Sequence, residues 1–200
     1  MVHRLKGHYL DTKHPIIVEN LMGIRRVKGS IQKGKKPILI NHLKSIINVI
    51  NKENIDEIKK ARDKSIVLIG FGGGFRRSEL ISIDYEDLEF VPEGLKIIIK
   101  RSKTDQFGEG MIKGLPYFNN EIYCPVKNLQ KWLEISKIKS GSIFRRFAKG
   151  LSLTDKRLTD QSVVLLMKEY LNLAGSENKD FSGHSLRSGL ATVAADSGAD

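Results

Sequence analysis

Apolar residues recur at helical spacing along several stretches of the chain. Leu43, Ile46, Ile47 and Ile50 mark one face of a helix for which Asn41 is a suitable N-cap. Ala61 to about Phe71 is apolar on nearly every side at Ile66, Val67, Leu68 and Ile69, which predicts a helix at the domain centre, ended by glycines 72 to 74. A short helix through Leu80 follows. Leu95 to Arg101, with three consecutive isoleucines, predicts a strand. Met111 to Leu115 is its expected partner, with a turn built on Asp105, Gly108 and Gly110. Pro125 suits the first turn of a helix carrying Val126, Leu129 and Leu133. Val163, Leu166, Met167, Tyr170 and Leu171 form the stripe of the next. A last helix opens at Ser182 or His184, with Leu186, Leu190, Val193 and Ala194 facing inward. The class is mainly α with one small antiparallel β-sheet.

Upstream, residues 1–24 read as helical around Ile16, Ile17 and Leu21 but are too few to bury a core alone. From Arg25 to Pro37 the chain has six basic residues, two glycines and no acid, the composition of an exposed linker. The expected organisation is therefore a helical remnant over 1–24, a basic linker over 25–37 and one larger domain over 38–200.

Charge sharpens that picture. Of the net +11, residues 1–40 supply nine Lys/Arg against two acidic residues. A polyanionic partner is the natural consequence, because each phosphate neutralised releases counterions; a merely lysine-rich surface is the bland alternative. The single cysteine, Cys124, excludes an intrachain disulfide and fits a reducing cytoplasm. No apolar run has the length of a membrane span.

Three short segments carry the candidate chemistry: Gly74-Phe75-Arg76-Arg77-Ser78-Glu79-Leu80, Ser102-Lys103-Thr104-Asp105, and Gly183-His184-Ser185-Leu186-Arg187-Ser188. Arginine donates paired, charge-assisted hydrogen bonds to two non-bridging phosphate oxygens and stays charged at any working pH. Fixed cations aimed at those oxygens stabilise the charge that gathers on them in a five-coordinate transition state. Taken alone, Arg76-Arg77 reads as a surface pair, and Lys96, Lys100 and Lys113 read as solvated edge-strand charges beside Lys103. Glu79 reads as structural, pairing with a nearby arginine.

The three segments resemble the boxes of the tyrosine recombinases, the phage-integrase type of enzyme that breaks and rejoins DNA. Gly74 to Leu80 match the form G-x-R-x-S-E-L, Lys103 sits as the family's hairpin lysine, and His184 with Arg187 match H-x-L-R. The resemblance runs from about Ala61 to Asp200, and more loosely to the N-terminus, where the family has a DNA-clamping domain. It implies the integrase catalytic-domain fold, double-stranded DNA as partner, assembly into tetramers and no cofactor. It also implies site-specific recombination through a 3′-phosphotyrosine, with Arg76, Lys103, His184 and Arg187 around the scissile phosphate. The family's nucleophilic tyrosine follows the second box, whereas no tyrosine follows Arg187 here. The expectation is thus a catalytic domain short of its C-terminal end, with impaired assembly. Either the nucleophile comes from elsewhere, or the chain is a non-catalytic DNA-binding remnant.

Other constellations fail on their own terms. The glycine run lacks the Gly-Lys-Ser/Thr of a phosphate-binding loop, and Phe75 occupies the last glycine position of G-x-G-x-x-G. His3, His8 and His14 are irregularly spaced and lack cysteine or clustered carboxylates, so no metal site is expected. Asp84, Glu86 and Asp87 lack the strand-borne Glu-x-Lys of a metal-dependent nuclease. The aromatics are scattered rather than arranged as a base-stacking platform.

Overall fold

The computed structural model describes residues 11–28, 36–100, 110–176, 181 and 185–198. The chain divides into two compact units, Met1–Gly34 and Lys35–Asp200. In the first, helix α1 spans Pro15–Lys28 and leaves Ile16, Met22 and Val27 exposed. It continues past Arg25, where the composition predicts linker. Met, Arg, Val and Lys carry it on, and one interior glycine, Gly23, costs only about 1 kcal/mol.

The second unit is built around one buried helix. Helix α2 (Ile40–Lys52) buries Leu43, Ile46, Ile47 and Ile50, as the spacing predicts. It starts before the expected Asn41 cap because the Leu39 amide is taken by His42 Nδ1 at 3.2 Å. Helix α3 (Glu57–Gly72) starts a turn earlier than the apolar run. Asp56 caps it, its carboxylate accepting from the Ile58 amide at 2.9 Å. Ile66, Val67 and Ile69 on α3 are fully buried. Helix α5 (Pro125–Ser136) packs against α3 through Val126, Leu129 and Trp132, and the Trp132 indole donates to Ile143 O at 2.8 Å. Helices α6 (Asp160–Leu173) and α7 (Ser185–Asp196) pack on α2 and α3, with short helix α4 (Arg77–Ser82) held against α3 and α6.

Strands β1 (Leu88–Val91), β2 (Gly94–Ile99) and β3 (Met111–Pro116) form an antiparallel sheet in that order. Along β2, Leu95, Ile97 and Ile99 face the core while Lys96 and Ile98 are exposed. Period-two alternation thus decides which isoleucines are buried. The expected pair of strands is present, and the structure sets Ile97 opposite Lys113. The anticipated turn falls at 101–109, outside the described residues.

Two features depart from the expected single sheet. β1 is only four residues long, too short for its pattern to be read. A separate two-stranded ribbon pairs β4 (Arg145–Phe147) with β5 (Leu153–Arg157). It is mostly polar and is held by tertiary contacts such as Arg62 Nη1 donating to Arg145 O at 3.1 Å. A third departure concerns α7, whose Leu186 is buried but whose Leu190, Val193 and Ala194 are only half-buried.

Backbone approach places α7. The Ile38 amide donates to Ser185 O at 2.9 Å, and a Cβ on Gly189 would lie 2.0 Å from Ile38 O. Only glycine lets the incoming chain cross the helix there.

Candidate functional site

The end of α3 sets the first arginine. The Gly74 amide donates to Phe71 O and the Phe75 amide to Gly70 O, closing the helix, and Gly74 turns the chain with φ of +53°. Phe75 is then driven into the core, 1% exposed. Arg76 follows as the residue preceding α4, extended at φ −67° and ψ 149°. An arginine placed directly after a buried aromatic has its backbone anchored by the core.

Glu79 fixes the side chain. Its Oε2 accepts from the Arg76 amide at 3.0 Å and its Oε1 from Arg76 Nη1 at 2.6 Å. The carboxylate is 4% exposed, so this ion pair is shielded from solvent on one side. Capping and guanidinium orientation are therefore done by one residue, in the structural role its sequence context suggests. The neighbouring Arg77 points elsewhere, 3.8 Å from Asp160.

Arg187 arrives from the first turns of α7. Its Nη1 donates to Gly74 O at 3.3 Å, a contact between residues 113 positions apart. Both arginines are thus brought to the turn that ends α3. The residue is exposed, and the bond is at the long end of the range for N–H···O.

Lys113, which the sequence presents as a solvated strand charge, belongs to the same cluster. Its Nζ donates to Gly73 O at 2.7 Å and Gly74 O at 3.2 Å, and lies 4.4 Å from the Phe75 ring centroid. The side chain is half-buried. Burial pushes its ammonium below the ordinary lysine range; Glu79 opposes this, while Arg187 and then Arg76 push it further down. Glu79, Arg187 and Arg76 thus all lie within electrostatic reach of Lys113. Such a cluster is complementary to an anion with several acceptor oxygens, and a phosphodiester fits that description.

Lys103 and His184 lie outside the described residues, so of the four expected site residues the structure brings together Arg76 and Arg187. Sequence reasoning missed Lys113. On its strand it is one lysine among several, and nothing next to it in the sequence marks which acceptors it reaches. Among the described residues no group of three or more His, Cys, Asp or Glu is placed to hold a metal ion. Also among them, no helix is long and apolar enough to cross a membrane.

Comparison with known proteins identifies the family and the fold. A sequence profile of the phage integrase family matches residues 38–200. The integrase/recombinase xerD homolog of Selenomonas ruminantium is 41% identical over 189 residues, covering 94% of this chain and 54% of that protein. Tyrosine recombinase XerC of Caldanaerobacter subterraneus subsp. tengcongensis is 31% identical over 140 residues, 70% of this chain and 35% of the relative. The chain spans about half the length of the first of these relatives and about a third of the second. Among solved structures, the XerH site-specific recombinase bound to difH substrate in a pre-cleavage complex superposes with a TM-score of 0.61 at 18% identity. That match covers 84% of this chain and 45% of XerH. XerA recombinase gives 0.60 at 16% identity, covering 99% of this chain and 66% of XerA. At such identities the structural likeness establishes the fold.

Proposed function

The chain belongs to the phage integrase family, and we propose that it supplies the phosphate-binding part of a site-specific recombinase acting on double-stranded DNA. The observation that carries this reading is that Arg187 reaches the Gly74 carbonyl two residues before Arg76, with Lys113 beside both, a cluster with more cations than carboxylates among the described residues. A backbone phosphate seated there would accept from both guanidinium groups on its non-bridging oxygens.

In the reaction so proposed, a tyrosine hydroxyl attacks the scissile phosphorus. The new bond joins the tyrosine oxygen to phosphorus, and the bond from phosphorus to the 5′-oxygen breaks. Lys103 gives its proton to that departing oxygen, and His184 assists transfer of the tyrosine proton and holds the phosphate. Arg76 and Arg187 stabilise the charge on the equatorial oxygens, with Glu79 holding Arg76 in place. The 3′-phosphotyrosyl bond conserves the energy of the broken one, so a freed 5′-hydroxyl reverses the step without ATP. Residues 38–200 would form the catalytic domain, 25–37 the basic connection along the DNA backbone and 1–24 the end of a DNA-clamping domain. Assembly into tetramers on two duplexes, in the cytoplasm, completes the proposal.

One observation favours a second reading, in which the chain by itself holds DNA without cutting it. All five tyrosines, Tyr9, Tyr85, Tyr117, Tyr123 and Tyr170, precede Arg187. Tyr170 is buried and donates to Asp63 Oδ2 at 2.8 Å, which withholds its hydroxyl from any substrate.

Two measurements separate these possibilities. Fluorescence anisotropy with a short duplex should show affinity falling steeply with salt; equal affinity at low and moderate salt would refute the DNA-binding reading altogether. Incubation with nicked duplex followed by denaturing electrophoresis should yield no covalent species from the isolated chain. An adduct mapped to any of the five tyrosines would overturn the second reading.

A further inference from the structure

We propose that Lys113 is a positioning residue of this site: its ammonium ties β3 to the carbonyls of Gly73 and Gly74 and, through the Gly74 oxygen it shares with Arg187, sets how that arginine meets the phosphate. The inference rests on the phosphate-binding reading above.

Three chain segments meet at one atom. Gly74 O accepts from Lys113 Nζ at 3.2 Å and from Arg187 Nη1 at 3.3 Å, so β3 and α7 are both referenced to the turn that launches Arg76. Gly73 O, at 2.7 Å, anchors the same ammonium more tightly. The two donors are cations sharing one acceptor, and they repel each other unless an anion sits nearby. A half-buried ammonium is also costly unless its donors are used. Among the described residues two of its three N–H groups have acceptors, and the Phe75 face lies beneath it.

The connection from β2 to β3 contains Lys103, so a strand pinned to the arginine turn also references the stem of that connection to Arg76. Deleting the Lys113 ammonium removes that link while leaving the ladder between Ile97 and Lys113 intact, because the ladder uses backbone groups.

Protonation of Lys113 should respond to what occupies the site. The charged groups facing it are Glu79 on α4, Arg76 at the start of α4 and Arg187 on α7. With no phosphate bound, burial and the two arginines hold its pKa down against the pull of Glu79. A bound phosphodiester adds a negative charge and raises it. Binding therefore takes up a proton where free Lys113 is partly deprotonated, and affinity falls as pH rises through that depressed value.

The test uses the 200-residue chain, with labelled lysine and arginine, and a short random-sequence duplex. By NMR, Lys113 should titrate below the exposed lysines in the free chain and move up when duplex is added; an unmoved titration overturns the proposal. This measurement on the unsubstituted chain stands even if a variant fails to fold. Lys113→Met should lose about fivefold in affinity at neutral pH, shift the Arg187 Nε–H resonance and flatten the pH profile. Lys113→Arg should restore the affinity and be equally flat, since guanidinium does not titrate. Should Lys113→Met bind with unchanged affinity and pH profile while Arg187→Ala binds more weakly, this inference fails and the phosphate site survives. If Arg187→Ala also binds unchanged, the phosphate reading itself is refuted.

Discussion

The middle of α3 and the turn that ends it hold charge in opposite ways. Two turns in, Asp63 is fully buried and collects donors from all sides: Arg62 Nε and Nη2 at 2.9 and 2.7 Å, Lys59 Nζ at 3.0 Å and Tyr170 Oη at 2.8 Å. The anion sits at the centre and the protein supplies it. About 15 Å along the helix, Lys113 and Arg187 donate to the backbone carbonyls of the turn that precedes Arg76, and Arg76 itself pairs with the Glu79 carboxylate. In the proposed reading, that arrangement takes its anion from a bound phosphate. A charged cluster built around its own buried carboxylate reads as structural, and the proposal assigns the binding role to the one whose donors meet at backbone carbonyls.

That contrast predicts the largest effect at the satisfied cluster. Asp63→Ala leaves Arg62 and Tyr170 buried without their acceptor and should cost about 3–5 kcal/mol of stability, measured by urea unfolding. Its affinity for duplex DNA should be unchanged wherever the variant is folded. A stable Asp63→Ala chain with weakened DNA binding would reverse the assignment of the two clusters.

Next in size is Gly74→Ala. A Cβ there would meet Leu190 Cδ2 at 3.0 Å, and φ of +53° disfavours alanine. The expected loss is about 1–2 kcal/mol, together with weaker duplex binding, because the turn carries Arg76 and orients Arg187. Thermal unfolding and anisotropy on the same sample distinguish the two losses.

Arg187→Ala should leave stability nearly unchanged, since the residue is exposed and its bond to Gly74 O is long. Its signature is a salt slope shallower by about one. An unaltered slope would show that no backbone phosphate reaches this arginine.

The smallest expected effect is in the pH dependence of stability. Burial holds both Lys113 and Lys64 below the ordinary lysine range. Between their depressed values and the ordinary one the unfolded chain binds more protons, so unfolding free energy rises with pH there. The opposite sign applies to Tyr170, which burial and then Asp63 hold protonated. Its contribution is complete below about pH 10 and is lost above it as unfolded tyrosine ionises. Urea unfolding from mildly to strongly alkaline pH should therefore rise and then turn over. In Lys113→Met the rising limb should be shallower.

Much of this was legible in the chain itself. The period of Leu43, Ile46, Ile47 and Ile50 determined α2, the unbroken apolar run from Ile66 determined that α3 is buried, and the glycine run determined where it stops. Those signals are local, because side chains three or four positions apart share a helix face. The boxes around Arg76 and Arg187 were readable for the same reason: each is a short segment whose residues act together. The polar ribbon of β4 and β5 was not, since its strands are stabilised by Arg62 and other distant partners rather than by their own pattern. Nor was Lys113, which on β3 looks like any strand lysine until the chain brings it to a turn 40 positions earlier. Which carbonyl a long flexible side chain reaches depends on the packing of whole elements, and that packing arises from contacts summed over the core rather than from any neighbouring residue.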